Sequence, residues 1–169
     1  RRYPEVKLHK GDDGVHAGMV VHPTRREIYV ANPGDGTLLV VDADSGTYAR
    51  TAREEYPIFS NRLPSFEYSI WECVGQRVFA KGLDIPTGLA LSPDGTRLFV
   101  AEGGTGKIHA FDVESGAMVG GFETGYATIG GMSFSPKSGI LHFVDDETNS
   151  LLAVKPSAAC STEYASRLT

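Results

Sequence analysis

Apolar side chains recur at every second position along most of this chain, as Leu89 and Leu91, Leu98 and Val100, and Ile108 and Ala110 show. Between these runs stand "SPDG", "GGTG" and "VESG", residue types that turn a backbone. A period of two bounded by turn chemistry predicts strand, turn, strand, turn, strand. Helical signals are nearly absent: apolar residues never keep three-and-four spacing over more than about two turns. In addition, 20 glycines and 9 prolines interrupt the chain. The predicted class is all-β.

The pattern is repeated. At an offset of 70, residues 14–46 match 84–116 without a gap, and nine of those 33 positions are identical, among them Gly18/Gly88, Pro23/Pro93, Asp42/Asp112 and Gly46/Gly116. A further offset of 43 lays 131–154 on 88–111, which makes three copies. A fourth strand is expected after the first two, "TYART" and "AMVGGF", giving four-stranded antiparallel units of about 40 residues. A small sheet with two partly apolar faces must bury each against another layer, and repetition at this period does so by stacking sheets around an axis.

The stretches "YVANPGDGTLLVVDADSG" and "IPTGLALSPDGTRLFVAEGGTGKIHAFDVESG" resemble blades of NHL-type and YVTN-type β-propellers, and the likeness runs over residues 14–155. The same frame is similar to that of gluconolactonase-like six-bladed metal hydrolases and of the peptide-amidating lyase, so it speaks to architecture more than to chemistry. The resemblance implies a partial propeller forming a single segment over 1–169. Its four-stranded blades are expected near 14–51, 83–122 and 126–160, with a rim insertion at 52–82. Propellers close with about four to eight blades. The rest of the ring is therefore expected from a longer polypeptide or from another chain, because an open stack exposes an apolar face at each end. "YPEVKLH" (3–9) reads as the outer strand of a further blade. The chain opens at Arg1 without an initiator Met or a charged-then-apolar leader, and it reads as soluble, processed or partial.

The two offsets, 70 and 43, differ by an insertion of about 27 residues within "AREEYPIFSNRLPSFEYSIWECVGQRVFAKG" (52–82). Phe59, Phe66, Tyr68, Trp71 and Phe79 concentrate aromatics there, and "FEYSIWECV" reads as an extra rim strand. These rings either cover the outer edges of two blades or form a partner-binding platform through Phe59, Phe66, Tyr68 and Trp71.

Charge narrows the partners. A net charge of −5 and no basic run longer than "RR" argue against nucleic acid and against an anionic membrane surface. No run approaches the roughly 18 apolar residues of a spanning helix. Cys73 and Cys160 have no metal-type or haem-type spacing, and their even count permits a disulfide between them, or between either one and the missing part. Either pairing implies an extracellular or otherwise extracytoplasmic compartment.

For chemistry, the aligned copies place Asn32, Glu102 and Asp145 at one position, the end of the second strand, with His16 at the start of the first inner strand. Oxygen donors and an imidazole on one channel face are what Ca²⁺ or another divalent metal takes, and a carboxylate beside an ion can act as a general base. The resembling lactonases hold their metal through Glu, Asn and Asp on the channel axis. The same residue types are also what turns require, with side-chain oxygens accepting N–H groups of their own loops. "GGTGK" joins two strands and lacks the helix N-terminus of a phosphate loop, and no serine sits in a GxSxG elbow. The expected function is a non-enzymatic propeller segment, a scaffold for a protein or glycan partner with no cofactor. The alternative is part of a divalent-metal-dependent hydrolase of lactonase or esterase type, or of a lyase.

Overall fold

The computed structural model describes residues 18–54 and 66–156. Among them the elements are strands: β1 (Met19–Val21), β2 (Glu27–Asn32), β3 (Thr37–Asp42), β4 (Thr47–Glu54), β5 (Phe66–Glu72), β6 (Gln76–Lys81), β7 (Pro86–Leu91), β8 (Arg97–Glu102), β9 (Lys107–Asp112), β10 (Met118–Glu123), β11 (Ile129–Phe134), β12 (Leu141–Asp145) and β13 (Ser150–Val154). All pair antiparallel, in sheets ordered β1-β2-β3-β6, β7-β8-β9-β10 and β11-β12-β13, with β4 and β5 forming a separate ribbon. No helix among the described residues is long and apolar enough to cross a membrane.

One strand departs from expectation. "TYART" was expected to close the first sheet, but it lies in β4 and pairs with β5, and β6 takes the free edge of β3 instead. The reason is burial. Tyr48, Ala49, Arg50 and Thr51 of β4 are exposed, whereas β6 brings Phe79 edge-on between Tyr29, 5.3 Å away, and Phe111, 6.0 Å away. The insertion thus falls between the third and fourth strands of the first sheet.

The sheets stack in chain order through two apolar layers. Tyr29, Ala31, Leu38 and Val40 of the first meet Leu89, Leu91, Leu98, Val100 and Phe111 of the second. Ala90, Phe99, Ala101, Ile108 and Ala110 of the second meet Ile129, Leu141 and Phe143 of the third. Each middle strand therefore sends alternate residues to opposite neighbours, which is why β8 reads as an unbroken apolar run.

The two conserved-by-repeat glycines set how closely the innermost strands approach. A Cβ on Gly18 would lie 2.1 Å from the Thr87 carbonyl oxygen, and one on Gly88 would lie 2.2 Å from that of Gly130. Gly18 N–H donates to Thr87 O at 3.0 Å, and the Thr87 hydroxyl donates to Ile129 O at 2.6 Å, so backbone and side chain link all three inner strands.

His22 adds a second link. It is 7% exposed, and its Nδ1 accepts the N–H groups of Thr24 and Arg25 at 3.2 and 2.9 Å. The ring proton therefore sits on Nε2, which donates to Gly95 O in the second sheet at 3.1 Å. One imidazole closes its own turn and ties two sheets together.

Candidate functional site

β2, β8 and β12 end on Asn32, Glu102 and Asp145, as the repeat implied, and all three are buried. Each bonds to the residue three places on: Asn32 Nδ2 to Asp35 at 2.9 Å, Glu102 Oε2 from the Thr105 hydroxyl at 2.6 Å, Asp145 Oδ2 from the Thr148 hydroxyl at 2.5 Å. The following residue is left-handed in every copy, with φ of 61° at Gly36, 69° at Gly106 and 52° at Asn149. Those are the residue types that adopt this conformation at least cost.

The second oxygen of each carboxylate reaches back to the loop leading into its own inner strand. Glu102 Oε1 accepts Asp84 N–H at 3.0 Å, and Asp145 Oδ1 accepts Thr128 N–H at 3.3 Å. Glu102 Oε1 also faces His109 Nε2 at 3.2 Å. Asn32 Oδ1 is buried with no hydrogen-bond partner among the described residues, and the residue that the repeat lays on Asp84 is Gly14, outside them. Each of these hydrogen bonds stays within one copy of the repeat, and no three His, Cys, Asp or Glu side chains among the described residues are grouped as a metal site.

The electrostatics agree. Burial disfavours the Glu102 charge, but the Thr105 hydroxyl, the Asp84 N–H and His109 outweigh it and hold its pKa below the usual value. The Thr148 hydroxyl leads the same effect at Asp145, joined by the Thr148 and Thr128 N–H groups. A depressed folded pKa contributes stability that is present above the unfolded value of about 4 and lost as pH falls through the folded one. The melting temperature is thus expected to hold from about pH 7 to 5 and to drop below about pH 4. The pair Glu102→Gln and Asp145→Asn should flatten that acid limb, and a pH series of thermal melts with parallel limbs would count against this assignment.

The other expected site residues are spread out. His16, Phe59 and Cys160 lie outside the described residues. Phe66 and Tyr68 fall on β5, opposite Glu54 and Ala52. Trp71 packs on the outer face of the first sheet with Val30, Val41 and Val74, edge-on to Tyr48 at 6.0 Å. Cys73 is exposed in the turn after β5, with φ of 55°. Sequence reasoning missed His22, His109 and the locking threonines. The threonines had a signal, Thr at the same offset in "EGGT" and "DDET".

No family model matches the sequence, and no curated protein matches it. Solved structures do. The β-propeller domain of Cps50 (Swd1) from Myceliophteria thermophila superposes with a TM-score of 0.54 at 12% identity, over 82% of this chain and 39% of that one. The chain folds as β-propeller blades. Hydrazine synthase from Kuenenia stuttgartiensis also matches, with a TM-score of 0.45 at 14% identity, over 91% of this chain and 39% of that one. The chain thus spans about two-fifths of the length of either solved chain. The three sheets are blades, β1, β7 and β11 are their innermost strands, and the Asn32, Glu102 and Asp145 row sits where each blade turns from second strand to third.

Proposed function

We propose that this chain is a non-enzymatic segment of a β-propeller, a rigid scaffold that presents a protein- or glycan-interaction surface within a longer or multi-chain assembly. The observation that carries the reading is the hydrogen bonding of Glu102 and Asp145: both oxygens of each already accept donors from their own blade. A cation would have to share these oxygens with donors from the turns that hold the blades in shape, so the row fits a structural lock better than a ligand set. The NHL or YVTN type and an extracytoplasmic location belong to the same proposal, the latter resting on the two cysteines. The ribbon that carries Trp71, Phe66 and Tyr68 is the proposed interaction platform, with Tyr48 exposed beside Trp71.

The metal-dependent hydrolase or lyase has one observation in its favour, the buried oxygen of Asn32 that has no partner among the described residues. A chelator and added Ca²⁺ separate the two readings. The scaffold should shift by no more than about 1 °C in melting temperature with either, because no bound ion contributes by mass action. It should also show no lactone or aryl-ester hydrolysis above buffer. A chelator that lowers the melting temperature and abolishes such hydrolysis, with Glu102→Gln reproducing the loss, would overturn it.

A further inference from the structure

The two blade interfaces already present define what the third blade lacks. Leu38 in the first blade and Ile108 in the second stand at one position of the repeat, and both are 0% exposed because the next blade covers them. Their counterpart in the third blade is Leu151, which is 72% exposed. Ala31 and Ala101 are likewise 0% exposed, and their counterpart Val144 is 37% exposed. Leu151 and Val144 face each other across β12 and β13, so they form one patch.

The glycine that admits a neighbour's backbone follows the same rule. A Cβ on Gly18 or Gly88 would strike a carbonyl of the next blade, whereas one on Gly131, the third copy of that position, meets nothing within 4 Å among the described residues. A glycine, an alanine-sized or valine-sized side chain and a large aliphatic thus recur at a face that is covered twice and open once. The opposite end of the stack differs, because Val74 and Trp71 of this chain already cover Val30 and Val41 there.

We propose that the face of the third blade bearing Gly131, Val144 and Leu151 docks a further propeller blade of this same frame, supplied by polypeptide outside the described residues. The proposal rests on the scaffold reading above and names its partner surface. By continuity with the two interfaces present, the occupant offers large apolar side chains where the second and third blades offer Leu98 and Leu141, and a backbone carbonyl opposite Gly131. Asn149, in place of the glycine at 36 and 106, carries a Cβ where Gly106 backs onto Tyr126 O, so the docked blade's leading loop lies farther from this turn.

The test extends the 169-residue chain after Thr169 with a second copy of residues 127–169, which preserves the offset of 43 between the second and third copies. Docking should raise the melting temperature by at least about 5 °C through the new nearest-neighbour interface, and should slow hydrogen exchange in β12 and β13. Leu151→Asp and Gly131→Val should each abolish that gain while leaving the unextended chain within about 1 °C of its parent, since both positions face open space there. An added copy that brings no rise, including one that stays unfolded, overturns the proposal, as does a gain that survives both substitutions. Concentration-dependent dimerisation of the unextended chain that Leu151→Asp abolishes would assign the face to a second copy and also overturn it. These readouts are independent of chelator response and hydrolysis, so failure here and failure of the scaffold reading are told apart.

Discussion

Gly88→Ala is expected to destabilise the chain by about 3 kcal/mol, which for a chain of this size is a drop of roughly 6–12 °C in melting temperature. Gly88 lies on β7 and its φ is not in the left-handed region, so alanine brings no backbone strain of its own. The cost is steric. The new methyl would sit 2.2 Å from Gly130 O and 2.9 Å from Met132 Cγ. Methionine can move aside, but the Gly130 carbonyl belongs to β11, which is paired to β12 and held by the Thr87 hydroxyl on the preceding carbonyl. Relief therefore requires the second and third blades to separate, which uncovers the layer of Phe99, Ile108, Leu141 and Phe143. Gly131→Ala is the matched control. With nothing among the described residues within 4 Å of its Cβ, it should change stability by no more than about 0.5 kcal/mol. Denaturant and thermal melts of the two variants check the pair, and equal effects would refute the close-approach explanation.

Gly106→Ala is expected to cost more than Gly139→Ala by about 2 kcal/mol or more, although the two glycines have nearly the same backbone, with φ of 69° and 65°. Both pay for a Cβ in the left-handed region, about 1–2 kcal/mol. Only Gly106 also meets a neighbour, since its Cβ would lie 1.7 Å from Tyr126 O. Thr124 holds that segment in place, because its N–H and hydroxyl donate to Gly106 O while its hydroxyl oxygen accepts Tyr126 N–H at 3.1 Å. A Cβ on Gly139 meets nothing within 4 Å among the described residues, so it isolates the conformational part. Denaturation midpoints at equal slope would measure the difference directly. Equal losses at the two sites would mean that the loop leading into the third blade yields freely, and the rigid-scaffold reading would weaken with it.

Much of the candidate site is legible in the sequence. The repeat alone put Asn32, Glu102 and Asp145 at one position, because gap-free offsets transfer a place in one strand to the same place in the next. Where their oxygens point was not legible. Thr105 and Thr148 lie three residues away in sequence, but Asp84 and Thr128 come from loops on the far side of an inner strand. Only folding brings those N–H groups to the carboxylates. The fourth strand of the first blade is a parallel case. Phe79 and Phe122 stand 43 apart and are each followed three places on by a glycine with φ of 79°, Gly82 and Gly125, a signal that the insertion between β3 and β6 obscured.

Alternation, turn residues and repetition are local properties, and by themselves they determined that this chain is all-β, that it holds three copies of one small sheet, and which side chains share a face. Period two assigns a side chain to one side of a strand but says nothing of which strand lies across the next edge or which sheet lies across the next layer. The tertiary structure decided those matters: β6 rather than β4 beside β3, the ribbon carrying Trp71 over one end of the stack, and Leu151 bare at the other where Leu38 and Ile108 are covered. The physical reason is that burial depends on contacts between residues far apart in sequence, and identical local patterns end in different environments when one copy lacks the neighbour that the others have.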